Sequence, residues 1–176
     1  MKDIVIGCIT GYTFDKIKPW VNSLDRSGFD GVKAMVCYNV DYETVEELVK
    51  RNYTILAFGK NDEKKTLEYK QDFNIVVERF YHMWYLLKKF QGQYRYIIST
   101  DVKDVVFQQD PTIWLQNNIG DKKIVAACES IRYKDEPWGR NNLQRSFGPE
   151  MYDENKDNLI VNAGTLSGDF DTMIDF

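Results

Sequence analysis

The chain has 176 residues and a formal charge of −4, because 27 acidic residues outnumber 23 lysines and arginines. An acidic chain of this kind is not expected to bind nucleic acid. A hydrophobic content of 43% and a charged content of 28% are typical of globular proteins and exclude a disordered or collagen-like chain. We therefore expect one folded domain spanning residues 1–176.

The sequence carries no pattern for secretion or membrane insertion. Its apolar runs are far shorter than the ~20 residues of a membrane-spanning helix, so no transmembrane segment is expected. The first residues also lack the apolar region and the cleavage site of a signal peptide. Cys8, Cys37 and Cys128 stand among apolar residues, which predicts buried thiols in a reducing compartment. These features predict a soluble, cytoplasmic protein.

Strands and helices alternate over the first 60 residues. Apolar runs predict strands over residues 4–10, 32–38 and 53–58. The first intervening helix is expected to begin close to Pro19. Its apolar positions follow helical spacing: Ile17, Trp20, Val21 and Leu24. The second helix is predicted from capping-box spacing at residues 44–47. This alternation predicts an α/β fold with a mostly parallel central sheet and helices on both faces.

A charged connection is expected over residues 59–70, followed by the clearest helix of the sequence. This helix is predicted to begin after Asp72 and to continue through Phe90. Its apolar stripe is assigned to the core and consists of Phe73, Val76, Val77, Phe80, Trp84 and Leu87. Helical geometry places Arg79 at the edge of this stripe and His82 on the opposite, solvent-facing side.

Further strands are predicted over residues 94–100, 124–128 and 159–163, with a short helix over residues 111–115. Residues 132–158 are polar and lack periodicity, which predicts a long loop that is either functional or disordered. A last helical pattern begins after Asp169 and stops at Phe176. The sequence therefore predicts either a truncated chain or an unusually short relative of a longer fold.

Two aspartates, Asp101 and Asp104, directly follow the strand over residues 94–100. Ligands of open parallel sheets bind at the carboxyl ends of the strands. Mg²⁺ is typically held by one or two carboxylates together with substrate phosphates. The pair therefore suggests a cation and diphosphate site, although a solvated turn, with Asp104 capping a helix or pairing with Lys103, is also consistent with the pattern.

Residues 100–111, read with Asn162-Ala163-Gly164, resemble the metal-binding segment of GT-A-fold, nucleotide-sugar-dependent glycosyltransferases. In that family an Asp-x-Asp motif follows a strand and continues into an apolar segment. The present Asp-x-x-Asp motif has one additional residue between the carboxylates. The resemblance implies that Asp104 binds Mn²⁺ or Mg²⁺ directly, and that Asp101 either binds it too or contacts the ribose or Arg79.

The same resemblance implies a nucleotide site at the end of the first strand. By position, Ile9, Thr10 and Tyr12 would line the base and ribose pocket, although Tyr12 can also simply cover the first turn. Arg79 would reach the diphosphate or orient Asp101, unless it belongs to a solvated helix face. The sequence has no G-x-G-x-x-G pattern, which argues against a dinucleotide enzyme.

The resemblance also implies a sugar site that includes the segment Asn162-Ala163-Gly164, and it suggests retention at the anomeric carbon. Glu129, just after the strand over residues 124–128, is a candidate catalytic residue that binds acceptor hydroxyls or stabilises positive charge. Trp138 and Arg140 are candidate acceptor-binding residues, because an aromatic face packs on a pyranose ring. The alternatives are that Trp138 anchors the loop to the core and that Asn162 caps a strand-end turn.

These features predict a metal-dependent glycosyltransferase that moves a sugar from a nucleotide-diphosphate donor, such as a UDP- or GDP-sugar, to a hydroxyl of a glycan or another acceptor. A nucleotidyltransferase is a first alternative, although residues 11–14 are poorer in glycine than the loop that such enzymes carry. A second alternative is a non-catalytic carbohydrate- or protein-binding module on the same fold. Cation-dependent nucleotide binding would distinguish the transferase from the module.

Overall fold

The computed structural model describes residues 2–70 and 74–176. Within these residues the strands are β1 (Lys2–Thr10), β2 (Val32–Tyr38), β3 (Tyr53–Ala57), β4 (Lys60–Asn61), β5 (Thr66–Leu67), β6 (Tyr94–Thr100), β7 (Ile124–Arg132) and β8 (Leu159–Asp169). The helices are α1 (Phe14–Arg26), α2 (Tyr42–Lys50), α3 (Ile75–Lys88), α4 (Pro111–Asn118), α5 (Pro137–Asn155) and α6 (Phe170–Asp175). No helix in the described ranges is both long and apolar enough to cross a bilayer.

The central sheet has six strands in the order β3-β2-β1-β6-β8-β7, and β4 and β5 form a separate hairpin. β1 pairs in parallel with both β2 and β6, and β2 pairs in parallel with β3. The chain therefore builds outward from β1 to β3 and then returns to β6 on the other side of β1. The predicted α/β fold with a mostly parallel central sheet is confirmed.

Apolar side chains cover both faces of the sheet, because alternate residues of a strand point to opposite faces. On β1, Val5 and Ile9 belong to one core cluster, which includes α1 residues such as Trp20. Ile4 and Ile6 belong to the other cluster, which includes residues of α3 and α6. The predicted placement of helices on both faces is confirmed.

The structure divides into two compact units. The first consists of Met1–Val125 with Leu166–Phe176, and the second is Ala126–Thr165. β7 and β8 each contribute residues to both units. The expectation of one domain stays a prediction.

The starts of the first two helices differ from the sequence prediction. α1 begins at Phe14 rather than near Pro19, which lies inside the helix. The proline removes one backbone hydrogen bond, but the fully buried apolar face of α1 keeps the helix in place. α2 begins after Asp41, whose carboxylate accepts a hydrogen bond from the Thr44 backbone N–H at 2.7 Å. The predicted capping box at residues 44–47 is therefore wrong.

The buried face of α3 differs in part from the predicted stripe, of which Leu87 is buried and Phe80 and Trp84 pack against the core as expected. Its N-cap is Asn74, whereas Asp72 and Phe73 lie outside the described residues. Val76 and Val77 are 57% and 68% exposed, and the buried residues are His82, Met83, Leu86 and Leu87. His82 is not solvent-facing, because its Nδ1 shares a 2.8 Å hydrogen bond with the Tyr38 hydroxyl.

The expected loop over residues 132–158 is wrong, because most of it forms α5. The Glu136 carboxylate caps this helix by accepting hydrogen bonds from the backbone N–H groups of Trp138 and Gly139. A backbone break at Gly148, with φ of 90°, divides α5. The buried residue of α5 is Gly139, which has no side chain. The helix therefore has no buried apolar stripe that a search for helical periodicity could detect.

β7 and β8 are also longer than predicted, and Cys128 on β7 is exposed rather than buried.

Candidate functional site

A cavity of about 210 Å³ lies in the first unit, at the carboxyl ends of β1, β2 and β6. β1 and β6 are adjacent parallel strands from which the chain continues toward opposite edges of the sheet. Such a switch point is where open α/β sheets bind ligands. The volume is below the roughly 300–1,000 Å³ of sites for drug-sized ligands. The cavity can therefore enclose only part of a nucleotide-sugar.

The cavity is lined by all the residues that the sequence analysis assigned to nucleotide or metal binding: Ile9, Thr10, Tyr12, Arg79, Asp101 and Asp104. Their placement in one cavity is a structural fact, while their binding roles remain predictions. Other lining residues were missed: Cys8, Tyr38, Ile75, Val76, Val102 and Lys103. Ligands of open parallel sheets bind at the carboxyl ends of the strands. Tyr38 is the last residue of β2, so it could have been predicted to line the cavity. Val76 was instead assigned to the core.

Buried contacts on both sides of Asp101 hold the acidic turn in place. The Thr100 hydroxyl accepts a 2.8 Å hydrogen bond from the Trp20 indole N–H inside the core. Val102 is only 3% exposed and packs into the same core cluster as Trp20. Because these neighbours face inward, the turn holds Asp101 and Asp104 at the cavity.

Arg79 and Asp101 form an ion pair, in which the guanidinium donates to the carboxylate. The Arg79 side chain is 18% exposed and the Asp101 side chain 38%. The Arg79 guanidinium also lies 4.9 Å from the centre of the Phe80 ring. These contacts fix the position of Asp101. The Nε atom of Arg79 is buried and has no hydrogen-bond acceptor within the described ranges.

Asp104 and Lys103 have no hydrogen bond or ion pair with any residue that the structure describes. Asp110, not Asp104, caps α4 by accepting a 2.8 Å hydrogen bond from the Thr112 backbone N–H. Within the described residues Asp104 therefore neither caps a helix nor pairs with Lys103, but its exposed position on a bend still agrees with a solvated turn. Asp104 presents to the cavity an exposed carboxylate that has no partner in the part of the chain that the structure describes.

The donor set fits a divalent cation that arrives with a phosphate ligand. Over residues 2–70 and 74–176, no three His, Cys, Asp or Glu side chains cluster as a metal site. A closed structural site with four protein ligands is thus not formed there. Asp101 and Asp104 supply two carboxylates to one cavity, and Mg²⁺ is usually held by one or two carboxylates while substrate phosphates and water complete the coordination.

Cys8 lines the cavity but is not an activated nucleophile. Burial raises the pKa of its thiol well above the usual range, and the nearby Arg79 charge only partly opposes this effect. Burial also raises the pKa of Cys37 to about 12. Both groups are therefore thiols at neutral pH, and the reactive thiolate is scarce.

Thiol alkylation at pH 8 should consequently label the exposed Cys128 first and leave Cys8 and Cys37 largely unmodified. Raising the pH toward 10 should accelerate the labelling of Cys8, since more of its thiol becomes thiolate. Peptide mass spectrometry after timed quenching measures each rate, and Cys128→Ser removes the dominant signal. Labelling of Cys8 at the rate of Cys128 would contradict this assignment.

The candidate sugar- and acceptor-binding residues lie in the second unit. Glu129 is inside β7, not beyond its end, and accepts a hydrogen bond from the Asn162 side chain. Asn162 is inside β8, where its side-chain oxygen accepts from the Gly164 backbone N–H. The structure thus brings Glu129, Asn162 and Gly164 together, and Ala163 between them is exposed.

Trp138 and Arg140 lie in the first turn of α5 rather than in a loop. The Trp138 side chain is 69% exposed, so it does not anchor a loop to the core. Arg140 is half-buried. Both residues belong to the second unit, and their acceptor-binding roles remain predictions.

No protein-family model matches the sequence, and no curated protein matches it. Solved structures do match. The galactosyltransferase LgtC, in complex with donor and acceptor sugar analogues, aligns with a TM-score of 0.54 and 12% identity over 98% of this chain. An active-site mutant of LgtC gives a TM-score of 0.53 at 12% identity over 98% of this chain. The chain spans 60% and 59% of these two LgtC chains.

Two other matches have similar scores. Mouse xyloside xylosyltransferase 1, in its apo form, has a TM-score of 0.51 and 11% identity over 97% of this chain and 68% of its own. The 4-diphosphocytidyl-2C-methyl-D-erythritol synthase of Anaerococcus prevotii DSM 20548 has a TM-score of 0.52 and 11% identity, over 97% of this chain and 71% of its own. At such identities the likeness concerns the fold alone: the chain has the α/β fold of GT-A-type nucleotide-sugar transferases.

Proposed function

We propose that this chain belongs to a metal-dependent glycosyltransferase that takes its sugar from a nucleotide-diphosphate donor. The observation that carries the proposal is the cavity at the β1–β6 switch point, which Arg79, Asp101 and Asp104 line together. Carboxylates and a cationic side chain at this position suit a diphosphate with its divalent cation. Use of UDP or GDP, a glycan or other hydroxyl acceptor, and a cytoplasmic location are finer parts of the same proposal.

In this proposal Asp104 is the direct ligand of Mn²⁺ or Mg²⁺, because its carboxylate has no protein partner within the described residues. Asp101 is the second carboxylate, and Arg79 holds it in place. When bound, the cation acts as a Lewis acid that offsets the charge developing on the departing diphosphate. Thr10 and Tyr12 provide polar and aromatic groups for the ribose and base at the end of β1.

The second unit supplies the groups proposed for the sugar and the acceptor. Asn162 and Glu129 present a paired amide and carboxylate that can bind sugar hydroxyls. The exposed Trp138 offers an aromatic face for a pyranose ring, and Arg140 offers donors beside it. Retention at the anomeric carbon is part of this proposal and is supported by the Asn-Ala-Gly segment alone.

A nucleotidyltransferase is the second candidate. The likeness to the diphosphocytidyl-methylerythritol synthase, with a TM-score of 0.52 over 97% of this chain, favours it. The turn after β1 nevertheless carries a single glycine, Gly11, over residues 11–14. A nucleotidyltransferase should prefer nucleoside triphosphates, whereas a glycosyltransferase should prefer nucleoside diphosphates.

Calorimetry with UDP and GDP, each with Mn²⁺ and with EDTA, tests the proposal. One of the two nucleotides should bind, and Mn²⁺ should tighten that binding by about tenfold or more, since the cation offsets the repulsion between the diphosphate and the two carboxylates. Tighter binding of CTP or UTP would favour the nucleotidyltransferase. Binding of glycans without any nucleotide binding would favour the non-catalytic module.

A further inference from the structure

The additional residue in the acidic motif places a lysine at the cavity. Lys103 lies between Asp101 and Asp104 in the sequence and lines the same cavity as both. Arg79, the other cation among the described lining residues, is already paired with Asp101. Lys103 is exposed, and no residue that the structure describes accepts a hydrogen bond or ion pair from it. Its ammonium group is therefore available to a ligand.

Among the lining residues that the structure describes, the formal charges cancel. Arg79 and Lys103 contribute two positive charges, and Asp101 and Asp104 contribute two negative charges. Burial raises the pKa values of Cys8 and Tyr38 well above their usual range, so these lining groups stay neutral. A neutral cavity attracts an isolated divalent cation weakly. It also does not repel a diphosphate, whose negative charge Lys103 can meet directly.

We propose that Lys103 binds the diphosphate of the nucleotide and opposes the binding of the cation alone, so that the cation binds the cavity tightly only when the diphosphate is present. This inference rests on the proposed function and concerns the same site. Lys103 has opposite effects on the affinities of the cavity for the cation alone and for the diphosphate alone. Its charge disfavours Mn²⁺ at Asp104 when no phosphate is present, and it stabilises the diphosphate when no cation is present.

The test compares the wild-type chain with Lys103→Met and Lys103→Arg. Lys122→Met is a matched control, because Lys122 pairs with Asp121 at the surface and does not line the cavity. Titrations monitored by electron paramagnetic resonance measure the affinity for Mn²⁺ without nucleotide. Calorimetry in EDTA measures the affinities for UDP, GDP and the corresponding nucleosides.

Lys103→Met should tighten the binding of Mn²⁺ alone by about fivefold. It should weaken the binding of the preferred nucleoside diphosphate in EDTA by about tenfold, because a charge-assisted hydrogen bond is lost. Binding of the nucleoside should not change, since it lacks the diphosphate. Lys103→Arg and Lys122→Met should behave as the wild type. Changes of opposite sign for the two ligands cannot arise from a general loss of folding.

The outcomes separate this inference from the function on which it rests. If the wild type binds a nucleoside diphosphate with the help of Mn²⁺ and Lys103→Met changes neither affinity, or weakens both, the role of Lys103 is refuted and the proposed function stands. If the wild type binds neither UDP nor GDP under any of these conditions, both are refuted.

Discussion

Asp104→Asn is expected to remove the gain in nucleotide affinity that Mn²⁺ provides, a loss of about tenfold or more. The amide keeps the shape of the side chain but replaces a charged ligand by a neutral one, which hard divalent cations bind more weakly. Asp104 is exposed and has no hydrogen bond within the described residues, so the free energy of unfolding should change by less than about 0.5 kcal/mol. Calorimetry and urea denaturation measure the two quantities.

Asp121→Asn is the matched control, because Asp121 is an exposed aspartate whose Lys122 partner lies outside the cavity lining. It should leave both nucleotide affinity and stability nearly unchanged, as expected for a surface ion pair. Unchanged Mn²⁺-dependent affinity in Asp104→Asn would contradict the assignment of Asp104 as the cation ligand.

Gly7→Ala should destabilise the fold and disturb the acidic turn. A Cβ at this position of β1 would lie 2.5 Å from Val102 Cγ2, and it would also approach Met35 and Trp20 at 3.4 and 3.5 Å. Val102 is 3% exposed, so it cannot move without shifting the turn that carries Asp101. Overpacking of this kind costs about 1–3 kcal/mol. Urea denaturation should detect that loss, and calorimetry should detect weaker nucleotide binding.

Val102→Ala is the variant that should rescue Gly7→Ala, because it removes the methyl group that the new Cβ would meet. The double variant should be more stable than the sum of the single effects by about 1 kcal/mol. Gly31→Ala is the control: its Cβ would clash with the Phe29 ring and the Asp3 backbone oxygen, at the other end of the strands. It should lower stability without changing Mn²⁺-dependent nucleotide binding. Additive effects of Gly7→Ala and Val102→Ala would argue against the proposed contact.

The central strands were predictable because buried parallel strands appear as short apolar runs bounded by turn residues. Residues 32–38 and 94–100 were predicted with the same bounds that β2 and β6 have. The short helix α4 was predictable from Asp110 and Pro111, which are characteristic of a helix start. These signals are local, so no tertiary information was needed to find them.

The orientation of α3 could not be read from its own sequence. Apolar residues occur on several sides of this helix, and its neighbours decide which of them become buried. His82 is buried because Tyr38 and Phe58 pack around it, with ring centres 5.6 and 4.5 Å from the His82 ring. Val76, although apolar, lines the cavity. α5 was missed for the opposite reason, since it has almost no buried side chains.

The sequence alone determined the α/β class, the strands of the central sheet and the position of the acidic turn, because strand periodicity and turn residues act over a few positions. Only the tertiary structure decided that Tyr38, Arg79 and Lys103 meet Asp101 at one cavity, and that Asp104 has no partner there within the described residues. The carboxyl ends of β1, β2 and β6 meet through parallel pairing between strands that are far apart in the chain. Such pairing creates neighbours that local patterns do not encode.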